Sequence, residues 1–118
     1  MQIRSKIWIE KKSKLVFGKG KSDILKAVQR YGSINKAARG MGISFRHAWS
    51  YINEIEDRMG VKLVERARGG KGGGGSHLTD YANELITTYD ELKKKVDKYT
   101  DKRFREAFAK WKNVKSSK

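Results

Sequence analysis

Arg66, Arg68 and Lys71 sit in and beside a run rich in glycine, Gly69-Gly70-Lys71-Gly72-Gly73-Gly74-Gly75-Ser76. Arginine and lysine side chains donate hydrogen bonds and accept none, so this trio suits an anion. Glycine loses more entropy on ordering than any other residue, and a cluster of it needs a reason. One reason is close approach of backbone to a ligand, with Gly69, Gly70, Gly72 and Gly73 offering their amides to it. A flexible linker has the same composition, so the run alone does not decide. A second set is Arg46, His47, Ser50 and Asn53. Arginine can donate twice to a guanine edge and asparagine can pair bidentately with adenine, while serine suits a base or a phosphate. The bland alternative for these four is the polar face of a surface helix.

Other chemistries find less support. Gly20-Lys21-Ser22 invites comparison with phosphate-binding loops, but Leu15 stands where the first glycine of that motif belongs. His47 and His77 are the only histidines, and neither has a metal-ligand spacing. No cysteine is present, which excludes a disulfide framework and a thiolate metal site. Nothing marks a Ser-His-Asp arrangement, and acidic pairs such as Glu54 and Asp57 read as solvated helix faces. No enzyme, cofactor or metal is expected.

Net charge is +15 over 118 residues. Between Lys11 and Asn53 ten basic residues face a single acid, Asp23. A one-signed field steers a protein toward a polyanion. Nucleic acid leads, an anionic membrane surface is the runner-up, and a lysine-rich solvated surface is the bland case. No stretch reaches transmembrane length, and the start at Met1 lacks a signal peptide's apolar core. These features predict a cytoplasmic, nucleoid-associated protein that uses no membrane.

The elements that must position these residues follow from periodicity. Residues 3–9 alternate, Leu15 and Phe17 alternate again, and a basic turn lies between them, predicting a hairpin over 3–17. Ser22 is expected to cap a helix carrying Ile24, Leu25 and Val28, with Tyr31 near its end and Gly32 stopping it. Ser33 caps a second helix with Ile34, Ala37, Ala38 and Met41, ended by Gly42. Ser44 caps a third over 44–59, where Ala48, Ile52, Ile55 and Met59 keep helical spacing until Gly60. Arg46 and Ser50 then lie opposite the buried side, flanked by His47 and Asn53. Short helices joined by tight corners are the helix-turn-helix signature. Ser33, Asn35 and Lys36 put donors beside a positive helix end, a phosphate-binding arrangement. Phe45, Trp49 and Tyr51 read as mainly structural, with Trp49 as a rim contact.

Val61–Ala67 and His77–Thr79 predict two short strands around the glycine run. Three helices, a strand, a loop and a strand give the order of a winged helix, with a wing over 63–79. Thr79 can cap a final helix in which Tyr81, Leu85, Tyr89, Leu92, Val96 and Tyr99 recur at spacings of three and four. Such a stripe on a long helix calls for a second copy to pack on. The fold expected is mainly α with a small β component: a winged helix-turn-helix over 1–78, a long dimerisation helix over 79–113 and a disordered basic tail over 114–118.

The residues Gly42-Ile43-Ser44-Phe45-Arg46-His47-Ala48-Trp49, then Leu63-Val64-Glu65-Arg66 with the glycine run and Leu78-Thr79, resemble the N-terminal DNA-binding domain of the ModE family of molybdate-responsive regulators. That domain is similar to the winged helix of LysR-type regulators. The resemblance covers roughly residues 3–95 and implies a homodimer whose recognition helices enter successive major grooves, with wings on the flanking backbone. It also implies that the helix after the wing takes part in dimerisation. Full-length members carry a C-terminal pair of oxyanion-binding domains, and residues 100–118 resemble no molybdate pocket. The resemblance therefore supports binding of double-stranded DNA and transcription regulation, and no molybdate site is expected in this chain. An architectural DNA-coating protein of low specificity is the alternative, and a protein–protein adaptor is a third.

Overall fold

In the computed structural model, which describes residues 1–66 and 75–111, the order is β1 (Ile9–Lys11), β2 (Lys14–Phe17), α1 (Lys19–Tyr31), α2 (Ile34–Met41), α3 (Phe45–Met59), β3 (Val64–Arg66), β4 (Ser76–Leu78) and α4 (Asp80–Ala107). Chain contacts gather into two compact units, Trp8–Thr87 and Met1–Ile7 with the chain from Thr88 onward.

In the Trp8–Thr87 unit, apolar stripes of three helices close one core. Phe17, Ile24, Leu25, Val28, Ala37, Ala48, Ile55 and Leu63 are fully or almost fully buried. The small pair Ala37-Ala38 lets α2 lie close to both α1 and α3. Gly40 serves the same end: a Cβ there would come within 2.7 Å of the Tyr31 ring. α1, α2 and α3 stop at Gly32, Gly42 and Gly60, with φ of 81°, 72° and 69°, a left-handed conformation that glycine adopts without steric penalty.

Two expected starts hold and one moves. The hydroxyls of Ser33 and Ser44 accept from the amides of Lys36 and His47, each at 3.0 Å. Ser22 caps nothing. α1 begins a turn earlier, after Gly18, whose carbonyl accepts from the Ser22 amide at 2.9 Å. The reason is that Lys21, Ile24, Leu25 and Val28 stand at i, i+3, i+4 and i+7, so the buried stripe already includes Lys21. Ser22 lies in the core, and its hydroxyl has no hydrogen-bond partner among the described residues.

The two hairpins are shorter than expected. β1 starts at Ile9 rather than residue 3, and pairs antiparallel with β2 through a two-residue turn at Lys12-Ser13. Both turn residues have positive φ, 53° and 65°, the type I′ geometry that matches strand twist. β3 starts at Val64 rather than Val61. The Glu56 carboxylate takes the amides of Leu63 and Val64, at 2.8 and 3.1 Å, and so sets the strand's entry. β3 and β4 pair antiparallel in the register Val64↔Leu78, Glu65↔His77 and Arg66↔Ser76.

Thr79 caps α4: its hydroxyl accepts from the Ala82 amide at 3.2 Å and donates to the Lys62 carbonyl at 2.9 Å. α4 has 28 residues, about 42 Å at 1.5 Å per residue. It runs unbroken through Thr100-Asp101, where Asp101 pairs with Arg105 at 3.2 Å. It ends at Ala107, short of residue 113, and the Phe108 ring then makes tilted contacts with Phe104 and Trp111.

In the unit of Met1–Ile7 and the chain from Thr88, the first residues make no strand because α4 side chains satisfy their backbone. The Tyr89 hydroxyl donates to the Ile7 carbonyl at 2.9 Å and Lys93 donates to the Ser5 carbonyl at 3.2 Å. The Ser5 hydroxyl donates to Asp97 at 2.8 Å. Among the described residues, no helix is long and apolar enough to cross a membrane.

Candidate nucleic-acid interface

α3 presents the residues that sequence reasoning singled out. Its buried side is Ala48, Ile52 and Ile55, with Met59 half-buried. Arg46, His47 and Ser50 are exposed and Asn53 is half-buried, on the opposite and flanking faces. The Ser44 oxygen is used by the cap, but a hydroxyl retains its own proton to donate. The same holds for Ser33 at the start of α2, where Asn35 and Lys36 are exposed. At the wing base Arg66 is exposed, and Glu65 meets His77 at 3.2 Å across the strand pair. Arg68, Lys71, Gly69, Gly70, Gly72 and Gly73 lie outside the described residues.

Phe45 departs from the structural role expected of it, and Trp49, expected as a rim contact, is exposed as well. Phe45 is 48% exposed and Trp49 is 39% exposed, because both fall on the side of α3 that α1 and α2 leave uncovered. Trp49 joins Ile34, Asn53, Glu56, Arg66 and His77 around a cleft of about 590 Å³ between α3 and the wing strands. The cleft brings residues of α3 and of the wing base to one concavity.

Tyr51 does pack inward, against a partner that periodicity hid. Lys21 is buried, and its ammonium lies 2.7 Å from the Glu54 carboxylate and 4.1 Å from the Tyr51 ring centroid. The Lys21 hydrogen bond holds the Glu54 carboxyl below its usual range, against the opposing effect of burial and with help from the charges of Lys21, Arg58 and His47. Glu54 is thus no idle member of a solvated face. Lys21 was legible only as the first member of the i, i+3, i+4, i+7 stripe, and a lysine at such a place is easily read as the polar end of a helix.

On α4, Tyr81, Leu92 and Tyr99 are exposed, and Leu85 and Val96 are half-buried. Tyr89 departs from the expected dimerisation set. It is buried, with its hydroxyl bonded to Ile7 of its own chain.

Comparison with known proteins gives this geometry a family. Residues 22–83 match the model of bacterial regulatory helix-turn-helix proteins of the lysR family. The chain is 51% identical over 69 residues to the transcriptional regulator ModE of Yersinia pestis, covering 58% of this chain and 26% of that protein. It is 41% identical over 92 residues to the DNA-binding transcriptional dual regulator ModE of Escherichia coli (strain K12), covering 78% of this chain and 35% of that protein. The chain therefore spans about a quarter to a third of the length of these relatives. In fold it is similar to the crystal structure of the CbnR_DBD-DNA complex, with a TM-score of 0.56 at 19% identity over 75% of this chain and 95% of that one. The chain belongs to the lysR family of bacterial regulatory helix-turn-helix proteins.

Proposed function

We propose that this protein binds double-stranded DNA as a homodimer and regulates transcription at the nucleoid, in the cytoplasm. The observation that carries the reading is the exposed face Arg46, His47 and Ser50 on a capped helix whose other face is buried in a family-matched domain. In this reading α3 enters the major groove with its first turn leading. Arg46 donates to a guanine edge, and Ser50, Asn53 and His47 assist. Ser33, Asn35, Lys36 and Ser44 meet phosphates at two helix starts, where the backbone dipole favours an anion. Arg66, Arg68 and Lys71 add phosphate affinity from the wing, whose glycines allow close approach to the sugar-phosphate ridge. Such contacts fix register and carry no sequence information directly. The chemistry is binding, not catalysis.

Dimerisation uses the α4 stripe of Tyr81, Leu85, Leu92, Val96 and Tyr99, without Tyr89. Two-fold symmetry then predicts half-sites whose centres lie about 34–36 Å apart, or a multiple of that. Selection from random duplex DNA at moderate salt tests the reading. Enrichment of a palindrome with one-turn spacing is expected. Tight retention without enrichment would replace it with a low-specificity coating role, and no retention would sink DNA binding altogether.

A further inference from the structure

Lys21 is the one buried charged side chain among the described residues. Taking an ammonium out of water costs several kcal/mol, and one ion pair seldom returns more than that. A methionine has nearly the same length and shape and would fill the space without a charge. Stability alone therefore does not account for a lysine here. Its contacts suggest another purpose. The ammonium bonds to Glu54 at 2.7 Å and sits over the Tyr51 ring at 4.1 Å from the centroid. Tyr51 in turn meets the His47 ring edge to face, with centroids 4.5 Å apart and planes at 88°. His47, Tyr51 and Glu54 are spaced i, i+4 and i+7 along one edge of α3, so a single side chain from α1 braces two turns of that helix. The far end of this chain of contacts is exposed, in the first turn.

We infer that Lys21 is a positioning residue for base readout, acting through Tyr51 to hold the His47 imidazole in one orientation at the leading turn of α3. The inference rests on the DNA-binding reading above. An imidazole carries one donor and one acceptor in its neutral form, so its use at a base edge depends on which way the ring faces. A ring already held in place loses less freedom on binding than a loose one.

The test uses the full chain and the duplex that the wild type selects, with every single-base-pair variant of that duplex. His47→Ala identifies the position that His47 reads. Lys21→Met is expected to lower discrimination there about tenfold, the size of one lost base contact, with other positions, the salt slope and the thermal midpoint preserved or the midpoint raised. In the double mutant no further loss is expected. Without DNA, the ring-current displacement of the His47 proton resonances should shrink in Lys21→Met. Discrimination kept at that position, lost equally at all positions, or lost additively with His47→Ala overturns the inference. If Lys21→Met does not fold, Tyr51→Leu keeps the lysine–glutamate pair and removes the ring. It should then show the same local loss, with Tyr51→Phe behaving as wild type; Tyr51→Leu discriminating normally overturns the inference. A wild type that discriminates between no sequences defeats the DNA reading itself. The His47 resonances would still report on the positioning.

Discussion

α3 and α4 are both amphipathic, yet they turn opposite faces outward. α3 meets α1, α2 and β2, and these cover its apolar side. What remains exposed is mostly chemistry: Arg46, His47 and Ser50. α4 has the longer stripe, and its part beyond Thr88 shares a unit with residues 1–7. Tyr89 finds a partner there, while Leu92 and Tyr99 remain 48% and 65% exposed. These exposed apolar side chains are the ones proposed above to meet a second copy. In the function proposed above, the same periodicity serves as a reading surface on α3 and as a pairing surface on α4.

The largest expected effect breaks the pairing surface. Leu92→Glu removes an apolar contact from both copies and places a charge in each, and should weaken the dimer about a hundredfold or more. Sedimentation equilibrium would show it, with far-ultraviolet dichroism near wild type because α3 and its core do not depend on Leu92. An unchanged dimer would assign the stripe to another partner.

The capping residues sharpen the comparison on a smaller scale. Ser44→Ala should destabilise the fold by about 1 kcal/mol, the usual worth of a serine cap. Thr79→Ala should lose more, because its hydroxyl also donates to the Lys62 carbonyl. Chemical denaturation of both variants settles the order. Ser22→Ala should go the other way, raising stability by up to about 1 kcal/mol, since the hydroxyl is buried with no partner among the described residues.

The smallest effect compares two carboxylates. Glu54 on α3 is held below its ordinary 4.5 chiefly by its hydrogen bond from Lys21. Asp97 on α4 is held below 3.8 chiefly by Lys93, then by Ser5. A depressed carboxyl contributes stability that is present above the unfolded value and lost as pH falls through the folded one. Glu54→Gln and Asp97→Asn should each flatten the acid side of the thermal midpoint against pH, below about those values. Both side chains are about half exposed, so solvent screening keeps the effects small and salt should reduce them.

Local signals carried much of this structure. Ser33, Ser44 and Thr79 cap because their side chains compete for their own backbone, a property read from three or four neighbouring residues. Gly32, Gly42 and Gly60 end helices for equally local reasons. The exposed polar face of α3 followed from spacing alone. What stayed hidden depends on contacts distant in sequence. The buried Lys21 needs Glu54 and Tyr51, the entry of β3 needs Glu56, and Tyr89 is withdrawn from its stripe by Ile7. The expected strand over the first residues failed for the same reason, because α4 side chains satisfy carbonyls that a strand partner would otherwise take.

In the proposed function α3 reads bases through Arg46 while other basic residues supply general affinity. Fluorescence anisotropy of wild type and Arg46→Ala, on the selected palindrome and on a scrambled duplex at one salt concentration, tests it most directly. Arg46→Ala is expected to lose about 1–3 kcal/mol per half-site on the palindrome and far less on the scrambled duplex, so that the ratio collapses. Equal weakening on both duplexes would make Arg46 a phosphate contact and contradict the claim.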